Sequence, residues 1–393
     1  MHGFVVILAS AMNPVFGFDA KRAATNNTGL GNYSRLVIDL LSDTLPGQQP
    51  RRLRLYTPRP EKVGPRLRPL LDRPGVSIAG PSSPLSRALP GLWRLRGGIT
   101  DRIIADGVTL FHGLSNELPL DIARAGIPSV VTIHDAIFRR CPENYKPVDR
   151  AIYDFKWRRA VANATRIIAI SECTRRDIID LYGADPERID VVYQGCDPIF
   201  LRPIADDDVA RVRALYALPN LFIACVGTVE PRKNQLLAVR ALSALPPEVS
   251  LVIVGRPREP YGSAVRAEAA ALGIADRVVW LRDIPFADIP AIYAASFAAA
   301  YVSRYEGFGL PVIEALASGT PVIAATGSCL EEAGGPGAIY IGPDDVSAFV
   351  TAASSLLNDS QLRRQLVAAG RAHIAAFSRD NFRSGLLDTY ARA

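Results

Sequence analysis

Short runs of apolar, mostly β-branched residues recur along the whole chain, and each leads into a stretch with helical spacing. In the first half these runs are Val5–Leu8, Leu53–Tyr56, Thr109–Phe111, Val130–Ile133, Ile167–Ile170 and Ile189–Val192. In the second half they are Phe222–Val226, Leu251–Val254, Val278–Leu281, Ala298–Val302, Val322–Ala324 and Ile339–Ile341. A strand that is apolar at every position has both faces buried, which is the condition of a parallel sheet covered by helices on both sides. Two such series predict an α/β chain of two doubly wound, Rossmann-like domains. The break between them falls in 196–220, which holds Pro198, Pro203, Asp206-Asp207-Asp208 and Pro219. Open parallel sheets bind ligands beyond the carboxyl ends of their strands. The chemistry is therefore sought in the loops that follow strands, and the substrate in a cleft between two domains that face each other.

Composition narrows the class. Hydrophobic residues make up 49% of the 393, enough for large cores and too many for a disordered chain. No apolar stretch has the roughly 18 residues of a membrane span. Met1-His-Gly runs straight into Phe4–Leu8 without a basic leader, so no signal peptide is expected. The five cysteines are scattered with no CxxC pair, which fits a reducing, cytoplasmic setting. The net charge is +6, and Arg51–Arg102 holds twelve Lys/Arg against three acids, a local excess of +9. That segment predicts either a solvated surface or peripheral contact with anionic membrane at its inner face, with Trp93, Leu89, Leu92 and Leu95 as an anchor. Nucleic acid is disfavoured because aromatics are sparse there.

Four loops carry chemistry. Glu306-Gly-Phe308-Gly309-Leu310-Pro-Val-Ile-Glu314 follows the run Ala298–Val302 and opens a helix stopped by Gly319 and Pro321. Gly307 and Gly309 allow close backbone approach, and free amides at a helix start suit phosphate. Val312, Ile313 and Leu316 share one side of that helix, and Glu314 lies about 130° away from its centre. Carboxylates at Glu306 and Glu314 would flank an anion site and accept from sugar hydroxyls. Gly227-Thr-Val-Glu230-Pro-Arg232-Lys233-Asn234 follows Phe222–Val226, and its two cations could neutralise a diphosphate. Thr28-Gly29-Leu-Gly31-Asn-Tyr-Ser precedes a helical pattern but is not a full dinucleotide fingerprint. His134-Asp135 follows Val130–Ile133, where His134 could orient a reacting sugar; His112 is read as structural. Asp206-Asp207-Asp208 and Asp344-Asp345 read as helix caps, so no metal site is expected.

Together these residues resemble the retaining glycosyltransferases of family 4, with the GT-B fold, over nearly the whole chain. Glu306–Glu314 is similar to that family's E-x7-E motif, Gly227–Asn234 to its donor diphosphate loop, and Thr28–Asn32 to its N-terminal glycine loop. His112-Gly-Leu-Ser-Asn-Glu-Leu-Pro119 and Ile170-Ser-Glu-Cys-Thr-Arg175 are similar to a bacterial mannosyltransferase subgroup. The resemblance implies an acceptor-side domain over 1–200, a donor-binding domain over 218–375, and a helix over 376–393 returning to the first. It assigns Glu306 to the donor sugar and Glu314 to the ribose. Arg232, Lys233 and the Phe308–Leu310 backbone would take the diphosphate. Gly255 and the loop after Leu281 would flank the base, Gly227 and Gly29 would also contact substrate, and Gly31 and His134 would close the site from the first domain. No cofactor is implied. The donor would be GDP-mannose, or else a UDP-sugar, and the acceptor a glycan or lipid-linked sugar. A nucleotide-sugar epimerase of the same form and a non-catalytic nucleotide-sugar sensor remain open, whereas a dehydrogenase lacks its glycine fingerprint.

Overall fold

The computed structural model describes residues 14–43, 49–95 and 97–393. They form two units. One contains the residues through Phe138, Tyr145–Gln194 and Arg379–Ala393; the other contains Arg139–Asn144 and Gly195–Ser378.

The strands of the first unit are β1 (Val15–Asp19), β2 (Arg52–Tyr56), β3 (Val76–Ala79), β4 (Leu110–Gly113), β5 (Ser129–Ile133), β6 (Arg166–Ala169) and β7 (Ile189–Val191). They make one parallel sheet in the order β3-β2-β1-β4-β5-β6-β7. Those of the second are β8 (Leu221–Val226), β9 (Val249–Val254), β10 (Val278–Leu281), β11 (Ala298–Tyr301), β12 (Val322–Ala325) and β13 (Ala338–Ile341), in the parallel order β10-β9-β8-β11-β12-β13. Strand order reverses between β1 and β4 in one sheet and between β8 and β11 in the other. A crevice opens at such a reversal, because the two crossover helices depart to opposite sides.

The central strands are buried at nearly every position, as apolar runs demand. β4, β5, β11 and β12 have no exposed residue. The helix Glu172–Tyr182 starts at Ser171, whose hydroxyl accepts from the Thr174 amide at 2.9 Å. Asp345 caps Val346–Asn358 through the Ala348 amide at 2.8 Å. Asp206-Asp207-Asp208 instead fills the first turn of Asp206–Leu215 behind Ala205 and makes no side-chain cap bond. Its charges act through the helix dipole.

The C-terminal helix Arg379–Arg392 packs within the first unit. Phe382 meets Tyr33 at 5.6 Å, and the Tyr390 hydroxyl lies 2.7 Å from His112 Nδ1. Arg379 pairs with Asp39, and Arg383 with Asp43 at 2.9 Å.

Several expectations are revised. The run Val5–Leu8 lies outside the described residues, and the strand that precedes the glycine loop is β1. Trp93 is 5% exposed and packs into the core, so it is no interfacial anchor, although Leu89 and Leu92 are exposed. Four of the twelve basic residues in Arg51–Arg102 pair with acids from elsewhere in the chain. Arg54 and Arg102 pair with Asp106 (2.7 and 3.0 Å), Arg73 with Asp39 (2.5 Å), and Arg94 with Asp19 and Glu117 (both 2.6 Å). These four arginines are committed to buried and half-buried ion pairs. No described helix is long and apolar enough to cross a membrane.

Candidate active site

In the second unit the loops after β8 and β11 flank the reversal of strand order. The loop after β8 ends in a 3-10 turn, Pro231–Lys233, closed by Asn234 in the left-handed conformation (φ 58°). Asn234 fits there because its amide donates to the Pro343 carbonyl at 2.6 Å, which helps hold the strained backbone. The turn aims Arg232 and Lys233 at the loop after β11. Glu306 Oε1 there receives Arg232 Nη1 at 2.6 Å, Lys233 Nζ at 2.5 Å and the Tyr301 hydroxyl at 3.0 Å. Lys233 Nζ also bonds the Tyr301 hydroxyl and sits 4.4 Å from that ring's centroid. Arg232 further holds Glu230 Oε1 (2.7 Å) and the Tyr305 carbonyl (2.8 Å), and Arg258 takes Glu230 Oε2 at 2.9 Å.

This cluster is buried, and its electrostatics follow from that. Burial alone would push the Glu306 carboxyl upward, but Lys233 and then Arg232 outweigh it and hold the group at about 2. Burial also lowers Lys233, with Glu306 opposing. Glu306 is therefore a fixed anion beneath two fixed cations. Three cations (Arg232, Lys233, Arg258) face two carboxylates (Glu230, Glu306), so the site keeps one positive charge to offer an anionic ligand.

The helix Leu310–Ala317 begins at Gly309 with φ 111°, a conformation open to glycine, and a Cβ there would meet Leu330 Cδ2 at 2.8 Å. The Phe308 ring is buried, its centroid 5.3 Å from that of Phe377. Glu314 is half-buried on this helix and has no side-chain hydrogen bond or ion pair among the described residues. Burial and then the Asp197 carboxylate raise it to about 7, with Lys233 opposing. Lys233 thus pairs with Glu306 while its charge also reaches Glu314.

The raised value has a sign that can be checked. A carboxyl whose folded value exceeds its unfolded one favours the protonated fold, so stability falls as pH climbs from the ordinary carboxylate range through about 7. E314Q should therefore melt several degrees above wild type at pH 8 and at the same temperature at pH 4. Equal melting at both values in thermal scans would exclude the effect.

The glycines and histidines are placed as follows. Gly255 (φ 155°) packs so closely that a Cβ would sit 2.0 Å from the Gly227 carbonyl oxygen, which accounts for it by backbone packing alone. Gly29 and Gly31 lie in the first turn of Gly29–Ser42, and a Cβ at Gly31 would fall 1.9 Å from the Asn26 carbonyl oxygen. That contact requires glycine whether or not a phosphate is near. His134 is buried and donates through Nε2 to the Leu114 carbonyl (2.9 Å), and burial lowers it to about 4. Since a carbonyl only accepts, Nε2 carries the hydrogen, and the ring is neutral at pH 7. His134 belongs to the first unit, whereas Glu306, Arg232 and Lys233 meet in the second. His112 is fully buried between Tyr390 and Thr132 and lowered to about 3, in keeping with a structural role. Sequence reasoning missed Tyr301, Arg258 and Asp197. Of these only Arg258, just past a strand end, carried any signal.

Residues 211–373 match the family model for glycosyl transferases group 1, and residues 47–200 that for Glycosyltransferase Family 4. The chain is 30% identical over 290 residues to O-antigen chain mannosyltransferase B of Escherichia coli, covering 72% of this chain and 74% of that protein. It is 35% identical over 254 residues to D-inositol 3-phosphate glycosyltransferase of Salinispora arenicola. That match covers 59% of this chain and 56% of the relative, so the chain spans little more than half the relative's length. Anabaena HepE in complex with UDP has the same fold, with a TM-score of 0.75 at 20% identity over 97% of this chain and 100% of that one. Two parallel-sheet units of seven and six strands, with the motif loops at their strand ends, are the GT-B fold class. The chain belongs to the group 1, family 4 glycosyltransferases.

Proposed function

We propose that the chain transfers a hexose, with mannose the leading choice, from a nucleotide diphosphate sugar to a hydroxyl of a glycan or lipid-linked acceptor, with retention at the anomeric carbon. The observation that carries this reading is the buried triad of Arg232, Lys233 and Glu306 at the strand-order reversal. Its surplus positive charge fits a diphosphate, and its carboxylate fits a sugar hydroxyl. Glu314, which lacks a protein partner among the described residues, is suited to a ribose hydroxyl. The mannosyltransferase named among the relatives favours GDP-mannose as donor.

As the bond from the anomeric carbon to the β-phosphate oxygen stretches, negative charge grows on the departing diphosphate. Arg232, Lys233 and the amides opening Leu310–Ala317 take up that charge, in the place a divalent cation would otherwise fill. The acceptor oxygen then bonds the anomeric carbon on the same face, and its proton passes to the departing phosphate. The test is product analysis with GDP-mannose and UDP-glucose, each with and without a glycan acceptor. An α-linked product from an α-linked donor, with free nucleotide diphosphate released, is expected. An epimerised sugar nucleotide from donor alone, or binding without turnover, would overturn the proposal.

A further inference from the structure

Both ring nitrogens of the buried His112 are engaged. Nδ1 lies 2.7 Å from the Tyr390 hydroxyl, and Nε2 lies 2.8 Å from Thr132 Oγ1. Thr132 Oγ1 in turn lies 3.0 Å from the Tyr33 hydroxyl. Tyr390, His112, Thr132 and Tyr33 thus form one continuous polar series within the first unit, and none is more than 3% exposed. Sheet register builds its middle. His112 of β4 sits beside Val130 of β5, and Thr132, two residues on, faces the same side. Its ends lie on two helices remote in sequence. Tyr390 belongs to the C-terminal helix Arg379–Arg392, and Tyr33 follows directly after the first turn of Gly29–Ser42.

Burial lowers His112 to about 3, so the ring is neutral and carries one hydrogen. Burial raises both tyrosines, so each keeps its own. The hydrogens can then run in either of two directions. Starting from Tyr390, its hydroxyl donates to Nδ1, Nε2 donates to Thr132, and Thr132 donates to Tyr33. Starting from Tyr33, every donor and acceptor is exchanged, and the histidine hydrogen sits on Nδ1. A change at one end therefore reverses the bonds at the other.

The Tyr33 end adjoins groups that the transferase reading uses. Its ring stands edge-on to His134 at 4.5 Å. The Thr132 carbonyl accepts the Asn116 amide at 2.8 Å, and Asn116 Oδ1 accepts the His134 amide at 2.7 Å. Phe382 of the C-terminal helix lies 5.6 Å from the Tyr33 ring.

We propose that Tyr390, His112, Thr132 and Tyr33 are a positioning relay, through which the C-terminal helix sets His134 and the glycine turn of Gly29–Ser42 for sugar transfer. This rests on the transferase reading, because transfer is what the relay would serve.

The test locates the histidine hydrogen by nitrogen NMR on the full chain with isotope-labelled histidine. The chain has four histidines, and H112N identifies the His112 signals. His134 is the internal standard, because the Leu114 carbonyl holds its hydrogen on Nε2. Y33F leaves Thr132 only Nε2 to donate to, and should place the His112 hydrogen on Nδ1. Y390F removes the partner of Nδ1. An unpaired buried lone pair costs less than an orphaned N–H, so this variant should place the hydrogen on Nε2. T132V cuts the series, and Y33F should no longer move the hydrogen in that background. In nucleotide release from GDP-mannose or UDP-glucose, Y33F and Y390F should each lower kcat/KM about two- to tenfold, the worth of one hydrogen bond. The double variant should fall no further than the worse single one, whereas independent roles would multiply. The same tautomer in Y33F and Y390F, unchanged kcat/KM in both, or multiplying losses would overturn the proposal. A chain whose tautomer switches as stated but which releases no nucleotide from either donor would sink the transferase reading and leave the relay as a coupling between the two helices.

Discussion

Replacing Lys233 by alanine should lower turnover by about 10²–10³-fold while leaving the fold intact. Removing one well-placed donor to developing negative charge typically costs that much. Lys233 is well placed by two restraints, the 3-10 turn Pro231–Lys233 that fixes its backbone and the Tyr301 ring beneath its ammonium at 4.4 Å. Neither depends on the donor, so the cation is oriented before the diphosphate arrives and costs little to reorganise. Glu306 would keep Arg232 as partner at 2.6 Å, so no charge is stranded and the melting temperature should move little. The loss should fall mainly on kcat, because the charge that Lys233 meets grows as the bond breaks. K233R supplies a fork where a compact ammonium is fitted and should restore only part of the rate. Near-normal kcat for K233A would remove the residue from the mechanism.

Most of the second sheet is legible because its strands are buried on both faces. Val278–Leu281 is found at the very residues expected, and Leu221–Val226 and Ala298–Tyr301 are shifted by one residue at one end. The failures have local causes. β1 reads Val15-Phe-Gly-Phe-Asp19, a run interrupted by Gly17. That glycine is needed because a Cβ would meet Val108 Cγ1 at 2.9 Å. β3 is an edge strand with one buried residue among four, so its pattern never becomes continuous. Arg139–Asn144 joins the second unit while its neighbours on both sides belong to the first. Six residues without periodicity carry no trace of that allegiance.

For the site, the limits are of another kind. Glu306, Arg232 and Lys233 were legible as loop residues after strands, yet their mutual pairing through one carboxylate oxygen was not. Spacing says which loop a residue occupies, whereas pairing depends on β8 and β11 being neighbours in the sheet. Tyr301 is the clearest omission. It ends a strand of alanines and looks like core, but its hydroxyl reaches Glu306 and its ring carries Lys233.

Converting Glu306 to glutamine should damage both stability and rate, and the two losses should respond differently to donor. The substitution keeps the shape but removes the one carboxylate paired with both Arg232 and Lys233, whose side chains are each 13% exposed, and leaves Arg232 only Glu230. Breaking a buried ion pair by neutralising one partner commonly costs about 3–5 kcal/mol, because the other charge is left uncompensated. In wild type the contribution of Glu306 is present above the ordinary carboxylate value and is lost as pH falls from there toward about 2. Acid-unfolding curves of E306Q should therefore flatten across that window. Turnover should fall by at least about 10²-fold, since an amide is a poorer acceptor for a sugar hydroxyl and the cations lose their fixed orientation. A bound diphosphate, however, brings negative charge back to the same two side chains. UDP or GDP should then raise the melting temperature of E306Q by more than it raises that of wild type. A smaller nucleotide-induced shift in E306Q would mean that the phosphates do not share those cations with Glu306, and the donor site would have to be sought elsewhere in the second unit.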